Sequence, residues 1–268
     1  MTAIATTSGT HPRVTLADAL RHGAILTQRN LIRIVRSPQL IVASTIQPVM
    51  FVLLFNYVFG GAIQVPGDAY INFLIPGILI QTAVFAATNT SIGLTDDLQA
   101  GIIDRFRSLP IARSAVLVGR TASDGVRIVF LIILTMAIGM ILGFRFQVGV
   151  PGALGAVAVA GLFAYSFTWV AATIGLIAKT PEAAQAAAFI PIFPFTFASS
   201  AFVPVDTMPG WLQAFSANQP VTVIIDTVRA LVLGGETAGN LSKALMWIAL
   251  ILVVFVPLSV RLYRNSTA

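Results

Sequence analysis

The chain has 268 residues, of which 57% are hydrophobic and 10% charged, with a mean hydropathy of +0.89 and a formal net charge of +6. So few charged side chains cannot cover a soluble protein of this length, and lipid must cover the rest of its surface. With no cysteine, disulfide, thiolate and Cys-ligated metal chemistry are excluded, and two histidines, His11 and His22, are too few for a histidine metal site.

Residues 1–37 contain no compact apolar core of the kind a cleavable signal requires. "TLAD" at 15–18 is a helix-start signature. After it, Leu16, Leu20, Ala24, Leu31 and Ile34 share one face while Arg29, Arg33 and Arg36 share another. This pattern predicts an amphipathic helix in the cytoplasmic membrane interface, the plainer alternative being a basic flank that only sets topology.

Six continuously apolar stretches follow, each long enough to cross the hydrocarbon as a helix: Leu40–Phe59, Ile71–Leu94, Arg120–Phe144, Pro151–Ala178, Glu182–Val203 and Ala244–Val260. Their runs do not alternate, so the expected fold is all-α and polytopic rather than a barrel. Eleven of the sixteen Lys and Arg residues lie before the first stretch, between the second and third, or after the fourth and sixth, and Arg120 and Arg127 in the first turns of the third bring that side to thirteen, against Arg145, Arg229 and Lys243 elsewhere. The positive-inside rule then places both termini, including the 263–268 tail, and the loop after the second stretch in the cytoplasm.

Within that loop, Leu98, Ile102, Phe106 and Leu109 recur at helical spacing, and Asp97, Asp104, Arg105 and Arg107 occupy other faces until Pro110 ends the pattern. A short amphipathic helix over about 96–110 is expected; a solvated basic loop is the alternative. Arg120, Asp124 and Arg127 form a self-neutralising series expected at the inner membrane edge. With Asp124 and Glu182 near stretch ends, no acidic residue is expected deep in a span, which disfavours a proton-coupled carrier.

In the fifth stretch Thr180 caps, Pro181 opens and Glu182 complements a helix that Pro191 and Pro194 should kink. Phe189, Phe193, Phe195 and Phe197 offer an apolar, deformable surface that faces either a pathway or lipid. Residues 204–235 break into two pieces, one starting at Pro209 and the other at Pro220, with Gly234 and Gly235 ending the second. Each is too short to span, so a pair of short helices dipping into the outer leaflet is expected, with Trp211 and Phe215 shielded and Gln213 exposed, and with Asp226 paired to Arg229. An ordinary amphipathic external loop anchored by Trp211 is the alternative. Uncharged polar residues inside the stretches, Gln47, Asn56, Gln81, Thr88, Asn89, Ser199 and Ser200, serve either helix packing or a pathway.

The chain offers no nucleotide-binding loop of its own: "TIGLIAKT" at 173–180 lacks both required glycines, and no nucleophile elbow, HExxH or EF-hand pattern occurs. Several segments in order, "QPVMFVLLFNYVFGGAI" at 47–63, "INFLIPGILIQ" at 71–81, "QAGIIDRFRSLPI" followed by "VLVGR" at 99–120, and "TMPGWLQAF" with "QPVTVIIDTVRAL" at 207–231, resemble ABC type-2 exporter permeases, in particular the daunorubicin/doxorubicin resistance permeases of actinobacteria.

The resemblance implies a six-span domain over 38–262 in the inner cell membrane that dimerises, binds two copies of a cytoplasmic ATPase carrying ATP and Mg, and exports hydrophobic or amphipathic small molecules. It implies that Asp97, Leu98, Gly101, Ile102, Asp104, Arg105, Phe106, Arg107, Leu109 and Pro110 form a coupling helix against that ATPase. It also implies that Pro209, Trp211, Pro220, Asp226 and Arg229 belong to an external re-entrant segment. Gln47, Asn56, Gln81, Asn89, Phe193 and Phe197 are the candidate pathway residues. No metal, resident cofactor or nucleic-acid partner is expected of this chain. The alternatives are a self-contained channel or secondary carrier, a lipid or polysaccharide exporter permease of the same superfamily, and a membrane scaffold.

Overall fold

A computed structural model describes residues 38–63, 65, 69–101 and 113–266, and among these every regular element is helical. The expected amphipathic helix within 1–37 lies outside the described residues.

Helix α1 (Pro38–Leu53) passes through Pro48 and widens into a π-helical segment, Leu54–Phe59. After it come α2 (Tyr70–Gln99), α3 (Arg113–Ile141), α4 (Gly149–Ile177), α5 (Pro181–Phe197), α6 (Gly210–Asn218), α7 (Pro220–Leu233) and α8 (Thr237–Ser266). Four of them, α2, α3, α4 and α8, are long and apolar enough to cross a membrane. The 30 residues of α2 reach about 45 Å as an α-helix, well beyond the thickness of the hydrocarbon. α5 has 17 residues, at the short limit for a span, and ends at Phe197 rather than Val203 because the chain turns at Ser199–Val203.

The long helices differ from the expected stretches at their ends, and at the charged ends they overrun them. α2 continues past Leu94 to Gln99, α3 starts at Arg113 rather than Arg120 and ends at Ile141 rather than Phe144, and α8 runs from Thr237 to Ser266. A hydropathy window stops at the first charges, whereas backbone hydrogen bonding continues through them.

α2 is the axis of the bundle, packed by α1, α3, α4, α5 and α7 and buried almost throughout. Its buried hydroxyls need no water. Thr88 donates to Phe85 O (2.7 Å), Ser91 to Thr88 O (2.7 Å) and Thr95 to Ser91 O (3.0 Å). α8 is held on α4 by the buried Thr173–Ser259 hydroxyl pair (2.7 Å) and otherwise exposes an apolar face of Leu245, Met246, Leu250, Val253 and Val254.

The bundle has two distinct ends. At one, the end of α2, the start of α3 and the ends of α4 and α8 meet around Leu94, Leu117, Trp169, Ala172 and Tyr263. At the other, Gln147 N donates to Val232 O (2.9 Å) and Arg145 N to Asn72 Oδ1 (3.3 Å), tying the α3–α4 turn to the end of α7 and the start of α2. Lys179, Arg261 and Arg264 therefore cluster toward the first end, while Arg145, Arg229 and Lys243 lie toward the second.

Candidate functional site

The loop joining α2 to α3 is held at its base by polar contacts. Arg120 of α3 pairs with Asp97 in the last turn of α2 and lies 3.9 Å from Asp124. Asp124 also lies 3.8 Å from Arg127 and accepts from Thr90 Oγ1 (2.8 Å), while Arg127 donates to Ala86 O (3.0 Å). α4 joins on the other side: Thr95 Oγ1 donates to Gly175 O (2.9 Å) and Gln99 Nε2 to Lys179 O (2.8 Å).

Because α3 begins at Arg113, Arg120, Asp124 and Arg127 sit roughly two to four turns inside it. Asp124 lies against two guanidiniums and a hydroxyl, as the i, i+4, i+7 spacing of the three charges predicts.

Asp97 and Leu98 belong to α2. That helix ends at Gln99, and the chain turns at Ala100–Gly101, where Gly101 takes φ +63°. Ile102, Asp104, Arg105, Phe106, Arg107, Leu109 and Pro110 lie outside the described residues. The pairing of Asp97 with Arg120 was not legible in the sequence, since it crosses 23 positions and no periodicity links them.

At the opposite end the proline and glycine punctuation is realised. α6 follows Pro209, α7 opens with Pro220 and ends at Gly234 (φ +88°). α7 is not a surface loop: Val221, Ile224, Ile225, Val228 and Val232 are buried against α2, α4 and α8. Asp226 and Arg229 pair as expected at 2.7 Å. Ser200 Oγ donates to Asp226 (2.8 Å), and the Arg229 guanidinium donates to Ser200 O (2.9 Å) and Phe73 O (3.1 Å). Gln219, missed in the sequence, donates from Nε2 to Phe195 O (2.7 Å) and Ala198 O (3.0 Å), which fastens the start of α7 to the end of α5. Within α6, Trp211 is 77% exposed on this chain and Phe215 is exposed, while Gln213, expected to be exposed, is half-buried and donates to Asp206 O (3.0 Å) and Met208 O (2.7 Å). The apolar face of α6 points away from the bundle, as it does when lipid rather than protein covers it.

A run of phenylalanines links α5 to α1. Phe189, Phe193 and Phe197 follow one another at ring-centroid distances of 5.8 and 5.4 Å, Phe197 meets Phe202 at 5.4 Å, and Phe202 stacks on Phe55 at 4.2 Å. Phe85 of α2 meets both Phe189 and Phe193 edge-on. Phe193 and Phe197 remain 49% and 42% exposed, and Gln47 and Asn89 are exposed beside such apolar faces. Asn56 lies half-buried in the π-helical segment, and Asn89 donates to Ala86 O (3.3 Å). Gln81 is separated from these: it is buried in the bundle, with its amide nitrogen unpartnered. Thr88 and Ser199 bond to carbonyls of their own segments and serve packing.

The sequence profile described as "ABC-2 type transporter" matches residues 22–233. The chain is 35% identical over 231 residues, 86% of its length and 82% of the relative's, to a daunorubicin resistance ABC transporter permease of Streptomyces coeruleorubidus. It is 28% identical over 243 residues, 90% of its length and 88% of the relative's, to a "Probable doxorubicin resistance ABC transporter permease protein" of Mycobacterium tuberculosis. With its helical bundle and four membrane-length helices, the chain belongs to the ABC-2 type transporter family.

Proposed function

We propose that this chain is the membrane permease of an ATP-driven exporter of hydrophobic or amphipathic compounds. The observation that carries this reading is family membership together with relatives described as daunorubicin and doxorubicin resistance permeases. In this reading α1 with its π-helical segment and α5 complete six spans, α6 and α7 are re-entrant from outside, and both termini and the loop at 102–112 are cytoplasmic. ATP and Mg are bound by a separate ATPase subunit, and two permease copies build the transport unit.

The loop would dock on the ATPase, with Phe106 as the buried anchor and Asp104, Arg105 and Arg107 setting register by charge. The exposed Phe193 and Phe197, continuing through Phe202 and Phe55 toward Gln47 and Asn56, would offer greasy cargo a surface. Rings can re-stack there without exposing unsatisfied polar groups.

The test is a co-expressed permease and neighbouring ATPase in inverted membrane vesicles, with doxorubicin as probe. ATP-dependent uptake is expected, and Phe106→Ala or Arg105→Glu should abolish it and weaken ATPase co-purification, with a loss of about 2 kcal/mol or more for the aromatic anchor. Ser114→Ala should change little. Normal ATPase binding and uptake in the Phe106 and Arg105 variants would reduce the loop to a topology signal.

A further inference from the structure

The contacts between α2 and α3 form one seam. On α2 the partners are Ala86, Thr90 and Asp97, and on α3 they are Arg127, Asp124 and Arg120, in antiparallel order. Spacings of four and seven on one helix and of three and four on the other keep each set on a single face. Two carboxylates and two guanidiniums sum to zero charge, and their side chains are 13% to 29% exposed.

Gly93 lies between Thr90 and Asp97, and a Cβ there would occupy the space of the Arg120 guanidinium. Arg120 can lie against α2 and reach Asp97 because position 93 carries no side chain.

Apolar helices in lipid attract each other mainly by close packing, which tolerates sliding. The polar contacts across this seam tolerate one register, because a shift of one turn separates Asp97 from Arg120, Asp124 from Thr90 and Arg127 from Ala86 O, and strands these groups away from water. The seam begins at the base of the 102–112 loop and ends roughly three turns further in, beside Ala86, at the middle of α2.

We infer that Asp97, Arg120, Asp124 and Arg127, with Thr90, are positioning residues that lock α2 and α3 into one register. Movement imposed on the loop then passes to both helices as a rigid pair and is not absorbed at its base. Thr95 and Gln99 extend the same body to the end of α4. The inference rests on the reading of that loop as the ATPase-docking element.

Gly93→Ala tests it without altering a charge. Its added methyl displaces only the far end of a flexible side chain, so the bundle is retained while the Arg120–Asp97 pair is lost. Arg120→Gln removes the pair by a second route, and Arg120→Lys preserves it. In the permease–ATPase complex in inverted vesicles, with doxorubicin as probe, Gly93→Ala and Arg120→Gln should bind the ATPase and hydrolyse ATP. Their uptake per ATP hydrolysed should fall about tenfold. Arg120→Lys should retain most of that ratio, and the Asp97→Asn/Arg120→Gln double variant should be no worse than Arg120→Gln alone. An unchanged ratio in Gly93→Ala and Arg120→Gln, including one accompanied by lower yield or melting temperature, overturns the inference and leaves the seam a packing device. Failure of the docking reading is seen separately, as normal ATPase binding by Phe106→Ala.

Discussion

Arg229 of α7 lies 3.8 Å over the ring of Phe73 in α2 and also donates to the backbone oxygen of that same residue at 3.1 Å. One guanidinium thus holds α2, the Ser200 turn and, through Asp226, its own helix. A planar fork with five donors suits such a junction, and an ammonium cannot span it.

Replacing Arg229 with Ala should therefore cost about 3 kcal/mol, because two buried carbonyls and a carboxylate lose their partner together. Arg229→Lys should fall between the variant and the wild type. Thermal unfolding of the detergent-solubilised protein should order the midpoints Ala, Lys, Arg. Equal midpoints for Ala and Arg would show that the junction contributes nothing to stability.

Phe202 is buried at the crossing of the aromatic run, against Phe55, Phe51 and Phe197. Phe202→Ala should cost about 3 kcal/mol through the cavity left behind, and α1 should loosen. Val52 on α1 is fully buried, so Val52→Cys should resist a maleimide in the parent chain and react in the Phe202→Ala background. Continued protection would mean that α1 is held by other contacts.

Topology can be read directly in a chain that has no cysteine of its own. Single cysteines at Asp68, Gly149 and Gly239 should label from outside intact cells, and those at Gln99 and Ser266 should label only after permeabilisation. Outside labelling at Gln99 would invert the orientation and place the α2–α3 loop out of reach of any cytoplasmic ATPase.

The start of α5 rests on Thr180, whose hydroxyl accepts from Ala183 N at 3.2 Å. Thr180→Ala should cost about 1 kcal/mol and act locally. Amide hydrogen exchange should accelerate at residues 182–184 while the middle of α4 keeps its protection. Acceleration throughout α4 and α5 would show that the cap supports the bundle and not one helix end.

Much of the fold was legible because the signals are local. Apolar runs marked α2, α3, α4 and α8, Thr180–Pro181–Glu182 marked the start of α5, and Pro209, Pro220 and Gly234 marked the limits of α6 and α7. The i, i+3 spacing of Asp226 and Arg229 likewise announced a pair that forms. Each depends on residues within about one helical turn, where backbone sterics and capping act alone.

Tertiary structure decided what those helices do to one another. Hydropathy ended α2 at Leu94 and began α3 at Arg120, yet the backbone continues into both charged flanks. Only then do Asp97 and Arg120 meet, with Asp124 against Thr90 along the same seam. Gln81 was a pathway candidate by composition, but helix rotation turned it into the core, and the same rotation left Phe193 and Phe197 on the surface. The sequence determined a lipid-embedded helical chain, its punctuation and its family likeness, because burial in hydrocarbon and helix capping are properties of segments. The partners of each charge and the face each helix presents depend on packing between residues 23 to 156 positions apart, and the three-dimensional bundle alone brings those together.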